Sequence, residues 1–414
     1  MKLRVLYICA TFPKQSEQFI MREVDALSEQ PVDLEIVTLW GGDSFYKGLP
    51  VRRFSKLKLF RLCWVLPLAF FLKPRVMSGN LKWFLARRPP SLLNFLENLL
   101  GYGFALAQWF EVEKNKPDLI HGTWATSPAS AALLLSILTG IPFSMGAHAY
   151  DVFENGGDWH LAEKLRRTSL LHTTSQNTCQ ALLGRGSDPK KTRVILSGLM
   201  GFPSLNSLRS PRNPIRVLYV GRLVEKKGLF YQIDVLQSLK GSGVSFRARI
   251  VGSGELDGRL KGYRDRSGLQ DELEFLGEQT FAAVQEQFDW ADLFLYTGTV
   301  SARGDRDGLP NVIGEAMAHG AVVLTTAVGA TTEAVEHGVT GLVLPPDDTQ
   351  AWVDQMLRLQ RDDALMETLR GNARAWVEEH FDARRNSREL YLALLKVAEK
   401  NESPNPEACH SISM

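Results

Sequence analysis

Short apolar runs rich in Val, Ile, Leu and Phe alternate with helix-patterned stretches along the whole chain. This alternation permits few architectures, because each run needs cover on both faces and each helix needs a sheet to lie on. In the first half Val5–Cys9, Leu34–Leu39, Leu119–Gly122, Phe143–Ala147, Leu170–Thr174 and Arg193–Leu196 read as strands. In the second half Arg216–Val220, Arg247–Val251, Leu273–Leu276, Leu293–Tyr296, Val322–Thr325 and Gly341–Leu344 do. Between the first two runs, Ser16 is placed to cap a helix whose Ile20, Val24 and Leu27 share a face. Residues 129–138 read as an apolar helix, and helical patterns over Asp363–Glu379 and Arg385–Lys400 close the chain. Such βαβ units predict parallel sheets, hence an α/β fold.

A chain of 414 residues is too long for one ordinary core, so two domains are expected. Residues 201–214 hold three prolines and no periodicity, which makes them the linker candidate. The expected division is 1–205 and 206–381, then a helix over 382–400 that packs back on the N-terminal domain, then a disordered tail over 401–414. The net charge of +2 argues against a nucleic acid partner. Cys9, Cys63, Cys179 and Cys409 are scattered, with no Cys-x-x-Cys, so neither a zinc cluster nor a disulfide framework is indicated and no metal is expected. The N-terminal apolar stretch reads as a buried strand rather than a secretion signal, and the run Leu62–Leu72 is far shorter than the ~20 residues of a spanning helix.

Three stretches carry chemistry. In Leu218-Tyr-Val-Gly-Arg-Leu-Val-Glu-Lys-Lys-Gly228 a strand ends at Gly221, and Arg222 and Lys227 precede a helix start. Ligands of open α/β sheets bind at the carboxyl ends of strands, where a guanidinium, an ammonium and a helix N-terminus suit a diphosphate. Read alone, the same stretch is equally a solvated basic loop. In Gly304-Asp-Arg-Asp-Gly-Leu-Pro-Asn-Val-Ile-Gly-Glu-Ala-Met-Ala-His-Gly320, Asp307 and Glu315 stand eight positions apart. Pro310 suits the first turn of a helix ending near His319. The free amides of Leu309 and Asn311 can meet an anion there, and Glu315 can accept bonds from sugar hydroxyls. In Phe143-Ser-Met-Gly-Ala-His-Ala-Tyr-Asp-Val-Phe153, His148 follows a strand end; read alone it is a core histidine.

Taken in order, these segments resemble the retaining glycosyltransferases of family 4, whose two-Rossmann fold is called GT-B. Gly221-Arg-Leu-Val-Glu-Lys-Lys-Gly resembles that family's Gly-Arg-Leu-x-x-x-Lys-Gly. Val251-Gly-Ser-Gly-Glu-Leu with Phe275-Leu-Gly is similar to its Val-Gly-x-Gly-x-Leu and Phe-Leu-Gly pair. Asp307-Gly-Leu-Pro with Glu315-Ala-Met-Ala is similar to its Glu-x7-Glu element. Val328-Gly-Ala, Glu333 and Gly338-Val-Thr-Gly-Leu resemble the family's stretch on the C-terminal side of that element. Phe12-Pro-x-x-Ser-Glu-x-Phe-Ile-x-Arg-Glu23, Pro117-Asp-Leu-Ile-His121 and Ala147-His-Ala-Tyr-Asp151 resemble a subgroup that builds bacterial cell-surface polysaccharides.

The resemblance implies two Rossmann-like domains facing across a cleft. It also implies transfer of a sugar from a nucleotide-diphosphate sugar to a glycan or lipid-linked acceptor, with retention and no cofactor. Arg222 and Lys227 would hold the donor diphosphate with Gly252, Gly308, Leu309, Pro310 and Asn311. Glu315 would bind the ribose, Asp307 would lie by the donor sugar, and His148 near the reacting centre, the last three forming the catalytic set. Three departures stand out: Asp307 replaces the family's Glu, Thr332 the proline before Glu333, and Thr11-Phe12-Pro13 a Gly-Gly loop. A sugar-nucleotide epimerase, a phosphorylase or a non-catalytic binding relic would share the fold. The segment 56–88 interleaves Lys56, Lys58, Arg61, Lys73, Arg75, Lys82, Arg87 and Arg88 with Leu59, Phe60, Trp64, Phe70, Phe71, Trp83 and Phe84. Its expected form is two short helices broken at Pro67 and Pro74, either touching an anionic membrane surface or packed into their own domain. The expected location is the cytoplasm, with association with the inner face of the plasma membrane left open.

Overall fold

The computed structural model describes the backbone of residues 2–402 except 86, 87, 209 and 211, and all side chains in that range except 80–85 and 402. Lys82, Trp83, Phe84 and Arg87 therefore lie outside the described side chains, and the tail 403–414 outside the described residues. The chain divides into two compact units: residues 1–173, 179–195 and 384 onward, and residues 174–178 with 196–383.

The first unit is built on β1 (Leu3–Thr11), β2 (Val32–Gly41), β3 (Phe45–Tyr46), β4 (Leu49–Arg53), β5 (Leu119–Gly122), β6 (Phe143–Gly146), β7 (Leu170–Thr173) and β8 (Thr192–Val194). They form one eight-stranded sheet in the order β3-β4-β2-β1-β5-β6-β7-β8, parallel except for the β3–β4 hairpin. The helix Ser127–Thr139 is apolar almost all round because it lies buried beside β5 and β6, its first nine residues inaccessible. The helix Gln18–Ser28 buries Ile20, Val24 and Leu27 as the pattern requires, but Ser16 does not cap it. A 3-10 turn over Gln15–Glu17 intervenes, which carries Ser16 out of the capping position. The closing helix Ala383–Glu402 buries Leu390, Leu394 and Ala398 in the core of this first unit.

The second unit is built on β9 (Ile215–Val220), β10 (Phe246–Val251), β11 (Leu273–Gly277), β12 (Leu293–Tyr296), β13 (Val322–Thr325) and β14 (Leu342–Val343). Their order is β11-β10-β9-β12-β13-β14, all parallel. The direction of winding reverses between β9 and β12, and a crevice opens outside the strand ends at such a point. Residues 201–214, the expected linker, belong to this unit rather than joining two. Leu199 donates to the Phe381 carbonyl at 2.8 Å, and buried Arg212 donates to the Leu359 carbonyl at 2.7 Å. Absence of periodicity here reflects a segment tied down by backbone carbonyls, not a free tether.

The segment from Lys56 forms the two short helices expected, with one break instead of two. A 3-10 turn over Lys56–Arg61 leads into the helix Leu62–Leu72, and a further helix starts at Pro74. Pro74 breaks the run but Pro67 sits inside the first helix, which gives up one backbone hydrogen bond. Only Val65 and Ala69 of that helix are buried, one helical turn apart, on the side that packs against the helix Leu92–Asn115. The rest of its apolar surface faces outward: Trp64 is 60% exposed and Phe71 80%. No described helix is long and apolar enough to cross a membrane.

Candidate functional site

The crevice of the second unit is set by the loops that leave β9, β10 and β12. Gly221 donates to the Val251 carbonyl at 3.0 Å and Leu223 to the Ser253 carbonyl at 2.9 Å, so the first loop is stitched to the second. Gly252 sits at φ +131°, and a Cβ there would stand 2.0 Å from the Gly221 carbonyl oxygen; the two loops touch through bare backbone. Gly228 is left-handed at φ +64°, and a Cβ would meet the Thr297 oxygen at 1.8 Å. That close approach fixes the 3-10 turn Glu225–Lys227, whose Lys226 and Lys227 side chains are buried.

Those side chains are not a solvated basic loop. Lys226 and Lys227 are 4% and 8% exposed. Lys226 Nζ lies 2.8 Å from Asp305 Oδ2 and 3.1 Å from Asp307 Oδ1. Lys227 pairs with Asp307 Oδ2 and reaches the Tyr296 hydroxyl at 3.3 Å, and that hydroxyl in turn donates to Asp307. Burial alone would raise the Asp307 carboxyl, but the two ammoniums hold it well below the ordinary carboxylate range. Burial likewise keeps the Tyr296 and Tyr219 hydroxyls protonated far above their usual value. Arg222 is exposed, close enough for its charge to be felt at Lys227, and its guanidinium makes no ion pair among the described residues.

Gly308, Leu309 and Pro310 are buried just ahead of the helix Asn311–His319. Pro310 is that helix's N-cap rather than a residue of its first turn, and its extended ψ of 120° places it one position outside. The first amides of the helix are those that carry its partial positive charge. Glu315, five residues in, is buried. Its neighbour Gly314 serves packing: a Cβ there would meet the Phe381 ring at 2.6 Å.

In the first unit His148 follows β6 and is almost fully buried. Its backbone amide, with those of Ala149 and Ala125, donates to the Asp151 carboxylate at 3.1, 2.9 and 3.1 Å, which pins the turn. Phe19, Trp124 and His172 stand edge-on around its ring at 5.4, 5.2 and 5.3 Å. Burial, and then the neighbouring His172, pulls its imidazole down to about 3, so it is neutral near pH 7.

Arg222, Lys227, Gly252, Asp307 and the Gly308–Pro310 segment thus fall in the loops after β9, β10 and β12, and Asn311 and Glu315 in the helix that follows β12. Sequence reading missed Lys226, Asp305 and Tyr296, which complete the charge network. The Asp305-Arg-Asp307 spacing was the available signal, but it is metal-like, and the fold turns both carboxylates onto Lys226 instead. It also missed that Glu23, His121 and His172, far apart in the chain, meet in the first unit.

Comparison with known proteins agrees with these two units. Residues 16–199 match the family described as Glycosyltransferase Family 4, and residues 204–376 match Glycosyl transferases group 1. The amylovoran biosynthesis glycosyltransferase AmsK of Erwinia amylovora is 26% identical, over 96% of this chain and 100% of that protein. A Salmonella typhimurium protein named as a candidate colanic acid biosynthesis glycosyltransferase, WcaL, is also 26% identical, over 94% and 98%. Among solved structures, Anabaena Alr3699/HepE in complex with UDP superposes with a TM-score of 0.69 at 20% identity, covering 96% of this chain and 100% of that one. Sucrose-phosphate synthase of Thermosynechococcus elongatus does so at 0.71 and 17%, covering 96% and 100%. With a family 4 domain followed by a group 1 domain, the chain belongs to the GT-B glycosyltransferases.

Proposed function

We propose that the enzyme moves a sugar from a nucleoside diphosphate sugar to a hydroxyl of a glycan or lipid-linked acceptor in cell-surface polysaccharide assembly. The observation that supports this reading most directly is that Arg222 and Lys227 lie in the loop after β9 and that Lys227 pairs with Asp307, just ahead of the helix Asn311–His319. As the glycosidic bond breaks, negative charge grows on the leaving diphosphate. Preorganised cations and amides lower that barrier without needing a metal, each such donor contributing about 3–4 kcal/mol. No metal or other cofactor is part of the proposal at this site. Asp307 would give up Lys227 to the diphosphate and keep Lys226, leaving its carboxylate beside the sugar. His148 would act near the reacting sugar as a neutral imidazole, Glu315 would hold the ribose, and configuration would be retained. The names of the amylovoran and colanic acid relatives support a surface polysaccharide as product.

The test is a thermal-shift screen of nucleoside diphosphates and nucleotide sugars in EDTA, followed by transfer to a lipid-linked glycan acceptor. A ligand at about 100 times its Kd adds about 2.7 kcal/mol, which is roughly 5–10 °C for a unit of this size. No shift with any nucleotide, or a shift that requires Mg²⁺ or Mn²⁺, would sink the reading. Nucleotide release without acceptor consumption would point to an epimerase.

The same proposal places the enzyme on the cytoplasmic side of the membrane, against anionic lipid. Exposed Leu57, Phe60, Trp64, Phe71 and Leu72 lie next to Lys56, Arg61 and Arg75, and further exposed leucines, Leu92, Leu93 and Leu96, open the helix Leu92–Asn115. Each cation near an anionic surface adds about 1 kcal/mol to what the apolar side chains gain. Liposome flotation tests it: the protein should rise with anionic vesicles at low salt, and Trp64→Ser/Phe71→Ser should not. Wild type left at the bottom of the gradient would refute it.

A further inference from the structure

We propose that Glu23, His121 and His172 form a binding site for one divalent transition-metal ion in the first unit, apart from the donor crevice. One ligand atom from each residue lies within 4.8 Å of the others. His172 Nε2 and Glu23 Oε2 are 3.5 Å apart, too long for a good hydrogen bond. It is close to the ~3.4 Å edge of a tetrahedron drawn with metal–ligand bonds of about 2.1 Å.

The sheet itself builds the group. Parallel register puts Tyr7 on β1 beside His121 on β5, and His121 beside Ser144 on β6, so their side chains share a face. His121 Nδ1 bonds Ser144 Oγ at 2.8 Å, which fixes the ring and leaves Nε2 as the atom available to a metal. That Nε2 is fully buried and has no hydrogen-bond partner. A buried, unpartnered imidazole nitrogen costs free energy unless something meets it. The His121 ring is stacked between Tyr7 at 5.1 Å and His172 at 5.4 Å, so it cannot swing away to find water. The helix Gln18–Ser28 brings Glu23 over this row, and the Tyr7 hydroxyl holds its second oxygen at 2.6 Å. Two imidazoles and a carboxylate, with the His121 ring and the second Glu23 oxygen braced by outer partners, is a donor set of the zinc and iron class. An ion here ties the helix to the sheet and fixes the His172 ring that stands against His148; it has no part in holding a diphosphate.

The experiment uses the full chain without a histidine tag. It is stripped with a strong chelator and titrated with Zn²⁺ by calorimetry and with Co²⁺ by visible absorbance, with melting temperature measured beside both. One ion per chain is expected, with a higher melting temperature and a cobalt spectrum of tetrahedral or five-coordinate type. Glu23→Gln and His172→Gln should each weaken binding at least about tenfold and abolish the thermal gain, and Ser144→Ala should weaken it about ten- to hundredfold. His319→Gln should bind as wild type. The nucleotide-induced thermal shift should be the same in stripped and loaded protein, which keeps this proposal separate from the donor assignment. Stripped, folded wild type that takes up no stoichiometric ion overturns it; so does Glu23→Gln binding zinc as tightly as wild type.

Discussion

Replacing Asp307 by Asn isolates the charge at the centre of the proposed donor site. The amide keeps the size of the side chain and can still accept from the Tyr296 hydroxyl. What it loses is the charge that neutralises two buried ammoniums. Lys226 retains Asp305 at 2.8 Å, whereas Lys227 retains only the Tyr296 hydroxyl at 3.3 Å. Removing one partner of a buried ion pair costs about 3–5 kcal/mol. The Asp307 carboxylate is 17% exposed, so the low end, about 3 kcal/mol, is expected. For a unit of this size, that is a fall in melting temperature of about 6–12 °C. Because the folded carboxyl titrates below its unfolded value, the stabilisation is present above about pH 4 and is lost as pH falls through the lower folded value. The gap between wild type and variant should therefore be constant from pH 8 to about 5 and close below about 4. A diphosphate no longer competes with Asp307 for Lys227, so it should stabilise the variant more than the wild type, while transfer is lost. The assay is differential scanning fluorimetry across pH with and without the nucleoside diphosphate. A variant within about 2 °C of wild type, or one less stabilised by nucleotide, would show that Lys227 does not depend on Asp307.

Gly228→Ala forces a Cβ into the Thr297 oxygen at a left-handed position, so it should cost more than the ~1 kcal/mol of ordinary glycine replacement and cut kcat/KM; denaturant midpoints and initial rates check both. His148→Ala should lower turnover at least about a hundredfold yet leave nucleotide-induced thermal shifts unchanged; lost nucleotide binding would contradict its assignment. Burial, and then the Asp158 carboxylate, raise the Glu97 carboxyl to about 7. Wild type should therefore lose stability as pH rises from about 4.5 to 7, and Glu97→Gln should remove that slope. Glu97 is partly exposed, so a gain of only about 1 kcal/mol at pH 8 is expected, read from urea melts at several pH values.

The alternation of apolar runs was enough to locate every strand but the two of the β3–β4 hairpin, because a parallel sheet covered on both faces demands continuous apolar segments. The hairpin strands Phe45–Tyr46 and Leu49–Arg53 escaped because they bury only Val51 and so need no such run. The proposed donor residues stood out for a related reason: Arg222, Lys227 and Asp307 follow strand ends, and strand ends can be counted along a chain. What the sequence could not disclose is which charges meet. Lys226 and Asp305 carry no pattern that separates a buried partner from a solvated neighbour; only the winding reversal between β9 and β12 brings them within 2.8 Å. The same holds for Glu23, His121 and His172. Their spacings along the chain match no metal motif, since the geometry that joins them runs across strands and not along them. The outward face of the helix Leu62–Leu72 marks the opposite limit. Composition suited a core and a membrane surface alike; Trp64 and Phe71, 60% and 80% exposed, do not serve the core of their own unit.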